Sequence, residues 1–149
     1  MEYLDSVIIR STPHEVFQWL DQPEKTMQWM TSVSKGEIVH DTPERIGTTF
    51  RETVEEDGNG IEMQGVITGY IPDELISFHL ESRVNVVDVA YRVKKVSSDM
   101  RISQIATVRW KFPVNIISLF IGQKIKQGIA DQSHKELLKL KKLCETGSK

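Results

Sequence analysis

One acidic residue in this sequence stands where a catalytic or ligand-binding carboxylate would be expected. Glu52 lies between Phe50 and Val54 in a segment of alternating residues, and this alternation places it on the apolar face of a strand. A carboxyl group removed from water has a raised pKa and often belongs to a functional site. A one-residue slip or a β-bulge would instead turn Glu52 to solvent and Arg51 inward. The sequence favours neither arrangement.

Two further polar side chains, Tyr91 and Gln104, fall on apolar faces of later predicted strands. A phenol and an amide in these positions can hydrogen-bond the polar end of a ligand. A core aromatic ring and a core amide with satisfied hydrogen bonds are the more common reason for such residues. The sequence leaves both interpretations open.

Known metal, nucleophile and phosphate motifs are missing from the sequence. No His-Glu-x-x-His, Gly-x-Gly-x-x-Gly or Walker-type loop occurs, and the single cysteine, Cys144, cannot build a zinc site. The histidines are dispersed at His14, His40, His79 and His134. We therefore expect no metal and no cofactor.

Composition limits the range of partners. The 149 residues fit one domain, and a net charge of −2 gives no basic field for DNA. The N-terminal residues include acids where a signal peptide needs basic residues, and the longest apolar stretch, Val114 to Ile121, is too short for a membrane span. We expect a cytoplasmic protein with no integral membrane association, in which the lone Cys144 is a small core residue.

The elements that must position these side chains begin with a strand and two helices. Residues 3–10 are rich in apolar and β-branched types, which predicts the strand. Thr12 and Glu15 have the spacing of a capping box, and Pro13 occupies the first helical position. A second short helix is predicted to carry Met27 and Trp29.

From about residue 34 to residue 112 the apolar residues recur with period two, interrupted by turn sequences, which predicts six more strands. The alternation gives an apolar face that includes the odd positions from Ile61 to Ile71 and the even positions from Met100 to Phe112. The last segment, from about Asn115, carries an apolar stripe with helical spacing. At 1.5 Å per residue, a helix of about 30 residues reaches across the whole sheet.

The order of elements, together with several local sequences, resembles the START-like superfamily, also called SRPBCC or birch-pollen-allergen-like proteins. The sequences are residues 12–20, Pro23-Glu24-Lys25, Trp29, Gly47-Thr48-Thr49-Phe50-Arg51, Pro72 and residues 140–145, and they are similar to the polyketide cyclase/dehydrase and lipid-transport branch. The resemblance implies an α+β helix-grip fold: a seven-stranded curved antiparallel sheet, two short helices after the first strand and a long C-terminal helix across the concave face. It spans a single domain over residues 1–145, and residues 146–149 are expected to be a frayed tail.

The resemblance implies a pocket but no particular reaction. We expect a small hydrophobic ligand, such as a lipid, an isoprenoid or an aromatic polyketide, between sheet and helix. Gly128 would leave room for it, unless the glycine serves close packing of helix on sheet. The predicted binding residues are Phe50, Glu52, Met63, Gly65, Ile67, Phe78, Leu80, Val89, Tyr91, Gln104, Phe120, Ile121, Lys124, Ile125, Gly128 and Ile129.

Two alternatives differ in the role of the interior. In one, the protein is an enzyme of the cyclase or dehydratase kind, with Glu52 as general base and Tyr91 or Gln104 orienting a substrate carbonyl. In the other, the protein binds a protein partner through its surface and its interior is a filled core. We expect a binding protein rather than an enzyme.

Overall fold

The computed structural model describes residues 1–56 and 59–146, without the side chains of residues 56, 59, 114–123 and 125. Ten elements follow one another along the chain. They are β1 (Glu2–Ile9), α1 (Pro13–Asp21), α2 (Pro23–Trp29), β2 (Val33–His40), β3 (Thr49–Glu56), β4 (Asn59–Ile71), β5 (Leu75–Glu81), β6 (Asn85–Val96), β7 (Asp99–Trp110) and α3 (Val114–Thr146). The predicted helix-grip architecture is confirmed. The predicted tail overlaps α3 at Thr146 and otherwise lies outside the described residues.

All seven strands form one antiparallel sheet in the order β1-β7-β6-β5-β4-β3-β2. Strands β2 to β7 pair with their neighbours in sequence. Strand β1, the first in sequence, pairs with β7, the last. The pairing runs from Glu2 opposite Thr107 to Ile9 opposite Met100. This long-range pairing places the first strand beside the last, where α3 can cover both.

Hydrogen bonds cap the first short helix and join it to the second. Thr12 Oγ1 accepts from Glu15 N at 3.3 Å and caps α1 as predicted, but the Glu15 carboxylate accepts from Ser11 Oγ at 2.6 Å. Trp29 Nε1, at the end of α2, donates to the carbonyl of Trp19 in α1 at 2.8 Å. Both indole rings are buried, so α1 and α2 are packed together as one unit.

The C-terminal half of α3 is anchored in the core. Leu137, Leu140 and Cys144 are fully buried and belong to the main hydrophobic cluster, together with residues of β1, β7, α1 and α2. Burial raises the pKa of the Cys144 thiol to about 12, so this thiol stays protonated in the folded chain. The anchoring fixes α3 along the β1 and β7 side of the sheet.

Three predicted inward positions, Gly69, Ile71 and Phe112, are wrong. Gly69 pairs with Ser77, and a Cβ atom built at Gly69 would meet the Ser77 side chain on the outward face. The register of β4 against β5 shifts between Ile67 and Gly69, so Tyr70 faces inward opposite Ile76 and Ile71 is 46% exposed. Phe112 is 75% exposed because β7 ends at Trp110, and the alternation has no meaning beyond the end of the strand.

Candidate functional site

A cavity of about 560 Å³ lies between the concave face of the sheet and the helices α2 and α3. It exists because the described part of α3 packs mainly on β1 and β7 rather than on β3 to β6, while α1 and α2 cover only part of these strands. Its sheet wall is largely apolar, with Val54, Met63, Ile67, Ile76, Leu80, Val87, Val89 and Val108. Met27 of α2 and Met30, which follows this helix, also line the cavity.

Aromatic rings form a continuous part of this wall. The ring centroids of Phe50 and Phe78 are 5.6 Å apart, and those of Phe78 and Tyr91 are 6.3 Å apart, both in edge-to-face arrangements. Trp29 of α2 meets Tyr91 edge-on at 5.8 Å. Edge-to-face pairs add stabilisation beyond the area that they bury, so this part of the wall is held in place.

Most of the predicted binding residues surround this cavity. Those that line it are Phe50, Glu52, Met63, Ile67, Phe78, Leu80, Val89, Tyr91, Gln104, Lys124, Gly128 and Ile129. Lys124 is exposed at the edge of the cavity. The side chains of Phe120, Ile121 and Ile125 lie outside the described residues. That the lining residues contact a ligand stays a prediction.

Gly65 does not line the cavity, contrary to prediction. It pairs with Phe50 across β3 and β4, and a Cβ atom at Gly65 would collide with the Phe50 ring. The Phe50 ring therefore packs directly over Gly65, and it is this ring that lines the cavity.

Glu52 faces the interior, which decides between the two arrangements that the sequence left open. It pairs with Met63 of β4, and both side chains line the cavity. Burial raises the pKa of Glu52 to about 7, and the charge of Glu136 adds to this shift. Within the described part of the chain, no side chain donates a hydrogen bond to the Glu52 carboxyl group.

Tyr91 and Gln104 are joined with Ser133 of α3 in a buried hydrogen-bonded chain. Ser133 Oγ donates to Gln104 Oε1, and Gln104 Nε2 donates to the Tyr91 hydroxyl at 2.9 Å. The amide of Gln104 is therefore satisfied within the core. Tyr91 and Gln104 also line the cavity, and that they hydrogen-bond a ligand stays a prediction.

Glu136 is a cavity residue that sequence reasoning missed. It accepts hydrogen bonds from the backbone N and the Oγ of Ser32, both at 3.0 Å and both on its Oε2 atom. Gly128, Gln132 and Glu136 follow one another at four-residue spacing and border the cavity as a single stripe of α3. That spacing was visible in the sequence, but only the packing of α3 shows that this stripe faces the cavity.

A second missed group closes one edge of the cavity. Arg45, in the loop before β3, pairs with Asp21 at the end of α1 at 2.7 Å and with Asp41 at 2.9 Å. The Tyr70 hydroxyl donates to the other oxygen of Asp21 at 3.0 Å. Two carboxylates already contact the Arg45 guanidinium. We therefore infer that Arg45 holds the loop before β3 against α1.

Gly128 faces open space rather than a tightly packed sheet. A Cβ atom built there meets nothing within 4 Å, and the backbone is helical. A glycine inside a helix is about 0.5 to 1 kcal/mol less favourable than alanine. We expect Gly128→Ala to raise the free energy of unfolding in urea by that amount, whereas Gly65→Ala, which displaces the Phe50 ring, lowers it. A destabilised Gly128→Ala would show that the helix is closer to the sheet than described.

Residues 1–56 and 59–146 contain neither a cluster of three metal-ligating side chains nor a helix long and apolar enough to cross a membrane.

Comparison with known proteins places this geometry among related structures. The profile of the family described as polyketide cyclase / dehydrase and lipid transport matches residues 4–145. The crystal structure of TTHA0849 from Thermus thermophilus is similar over 100% of both chains, with a TM-score of 0.85 and 14% identity. The crystal structure of Ara h 8.0201 is similar over 97% of both chains, with a TM-score of 0.71 and 14% identity.

A third similar structure is the di-domain ARO/CYC StfQ from the steffimycin biosynthetic pathway, with a TM-score of 0.79 and 12% identity over 96% of this chain and 50% of that one. At these identities the structures show the fold alone. No curated protein matches the chain. The resemblance stated from the sequence is confirmed.

Proposed function

Because the chain belongs to the polyketide cyclase / dehydrase and lipid transport family, we propose that it binds or carries a small hydrophobic molecule in the cavity between sheet and α3. The observation that carries this proposal is the cavity of about 560 Å³ with largely apolar walls. Cavities of about 300 to 1,000 Å³ with apolar walls and a few polar groups are the usual sites for small molecules. Lipids, isoprenoids and aromatic polyketides are the classes of ligand that suit it.

The affinity in this proposal comes from burial of apolar surface, at about 25 cal/mol per Å² before the costs of association. The edge-to-face rings of Phe50, Phe78 and Tyr91 provide a preformed apolar wall, so little side-chain ordering opposes binding. A protein that only docks partners through its surface would have no need of this space. The cavity therefore favours the ligand-binding proposal over the partner-binding alternative.

An enzyme of the cyclase or dehydratase kind is the second candidate. It is favoured by Glu52, whose carboxyl group lies in the cavity with a pKa of about 7. A general base works best when its pKa is near the working pH. Turnover of a polyketide-like substrate that survives Glu52→Gln would reject this alternative.

Obstructing the cavity tests the binding proposal. We expect Gly128→Phe to place a ring along the stripe that borders the cavity, and to weaken binding of the neutral probe N-phenyl-1-naphthylamine by about tenfold or more. The measurement is a fluorescence titration, supported by native mass spectrometry of the purified protein for a retained small molecule.

Gln127→Phe is the matched control, because Gln127 is exposed on the same helix, one residue away, and does not line the cavity. It adds the same ring, so the probe should bind as in the unmodified protein. Equal probe binding by all three proteins, or no binding by any of them, would contradict the proposal.

A further inference from the structure

The hydrogen bonds of the Ser133, Gln104 and Tyr91 chain have a fixed direction. An amide oxygen can only accept, so the contact between Ser133 and Gln104 Oε1 uses the hydroxyl hydrogen of Ser133. The amide nitrogen can only donate, so the Tyr91 oxygen is the acceptor in its contact with Gln104 Nε2. The hydrogen-bonded chain therefore ends at Tyr91, and neither of its hydrogen bonds uses the phenolic hydrogen of Tyr91.

The Tyr91 end of this hydrogen-bonded chain faces the cavity. Tyr91, Gln104 and Ser133 are only 4%, 5% and 6% exposed, and all three line the cavity. They come from three elements, β6, β7 and α3, so the sheet and the helix hold them together. In the described part of the chain, the Tyr91 hydroxyl donates to no protein group. A buried hydroxyl hydrogen without an acceptor is costly, and a ligand oxygen would relieve that cost.

Two carboxylates face the same space. Glu52 lies on β3 and Glu136 on α3, and both line the cavity. Neither carboxylate forms an ion pair with a described residue. The hydrogen bonds to Glu136 from described residues are accepted by Oε2, and none of them uses Oε1. Their charges also act on Tyr91, whose pKa is raised well above its ordinary value, first by burial and then by Tyr3, Glu136 and Glu52. The phenol therefore stays protonated as a donor.

The cations at the cavity do not offset these two carboxylates. Arg45 is already paired with Asp21 and Asp41. Lys124 is exposed at the edge. An anionic ligand would bring a third negative charge close to the largely buried carboxyl group of Glu52 and the half-buried Glu136.

From this arrangement we propose that the cavity prefers an uncharged ligand with a hydroxyl or carbonyl oxygen, which accepts a hydrogen bond from Tyr91, over the corresponding carboxylate, and that Glu52 and Glu136 exclude carboxylic acids. This specificity rests on the proposed binding function. It names the ligand class as neutral alcohols and ketones with an apolar body, and it excludes fatty acids.

Displacement of N-phenyl-1-naphthylamine at pH 8 by ligands of equal chain length tests this selection. We expect dodecanol to bind at least about tenfold more tightly than dodecanoate, with 2-dodecanone close to dodecanol. Dodecanoate binding as tightly as dodecanol would overturn the proposal. Probe binding without any such preference leaves the binding function standing, whereas failure of the probe itself to bind counts against the binding function.

Two variants assign the effect to the named residues. Glu52→Gln with Glu136→Gln should raise dodecanoate affinity about tenfold relative to dodecanol affinity. Tyr91→Phe should weaken dodecanol about fivefold more than it weakens the hydrocarbon-like probe, a difference that a general loss of structure would not produce. Glu62→Gln removes an exposed carboxylate from the outer face and is the control for nonspecific charge effects. An equal gain of dodecanoate affinity in Glu62→Gln, or unchanged dodecanol binding in Tyr91→Phe, would overturn the assignment.

Discussion

Replacing Glu52 by glutamine is expected to make the protein more stable at pH 8, by roughly 3 kcal/mol. The pKa of this carboxyl group is raised in the fold from 4.5 to about 7, and each unit corresponds to about 1.4 kcal/mol. Below pH 4.5 the group is neutral in both the folded and the unfolded chain, so folding carries no penalty. Between pH 4.5 and 7 only the unfolded chain loses the proton, and the fold loses stability until the penalty is complete above pH 7. Glutamine has no such penalty at any pH.

Urea unfolding of both proteins at pH 5 and pH 8 measures this difference. The gain from Glu52→Gln should be large at pH 8 and mostly absent at pH 5. Burial is the largest cause of the raised pKa of Glu52, and the charge of Glu136 on α3 adds to it. Glu62→Gln, on the outward face of the adjacent strand, should change stability by less than about 1 kcal/mol at both values. A gain for Glu52→Gln that is the same at both pH values would show that the carboxyl group is not buried as described.

Leu140→Ala should destabilise the fold by about 2 to 5 kcal/mol. Leu140 is fully buried in the cluster that fixes the C-terminal half of α3, and deletion of its side chain leaves a void that the surrounding strands and helices can fill only in part. Because α3 forms one wall of the cavity, a loosened helix should also bind the naphthylamine probe less tightly. Urea denaturation and a probe titration on the same preparation measure both effects.

Leu138 provides the matched control on the same helix. Its side chain is 45% exposed, so Leu138→Ala removes the same atoms from a position that contributes little to the core. We expect a change within about 0.5 kcal/mol. Similar losses for the two variants would mean that α3 is rotated relative to the orientation described.

Much of the fold could be predicted from the sequence because its signals are local. Period-two alternation identifies strands whatever their partners are, and the spacing of Leu137, Leu140 and Cys144 identifies the buried stripe of α3. Thr12 and Pro13 mark the start of α1 by chemistry within one turn. The errors at Gly69 and Ile71 come from a bulge and the error at Phe112 from a strand end, which alternation cannot detect.

The candidate site depended more on tertiary structure. The strand pattern placed Tyr91, Gln104 and most apolar lining residues on the correct face, because which face a side chain occupies is a property of one strand. Register decided Glu52, since a slip by one residue would have exchanged it with Arg51. Glu136 and Arg45 were missed because their partners are distant in sequence.

The sequence by itself therefore determined the elements, the apolar face of the sheet and the stripe by which α3 is anchored. Only the tertiary structure decided that α3 leaves a cavity over β3 to β6, that a glutamate from the helix joins Glu52 there, and that the hydrogen-bonded chain ends in the Tyr91 hydroxyl. The physical reason is that periodicity depends on neighbours along the chain. A cavity and its electrostatics depend on distances between strands and helices that are far apart along it.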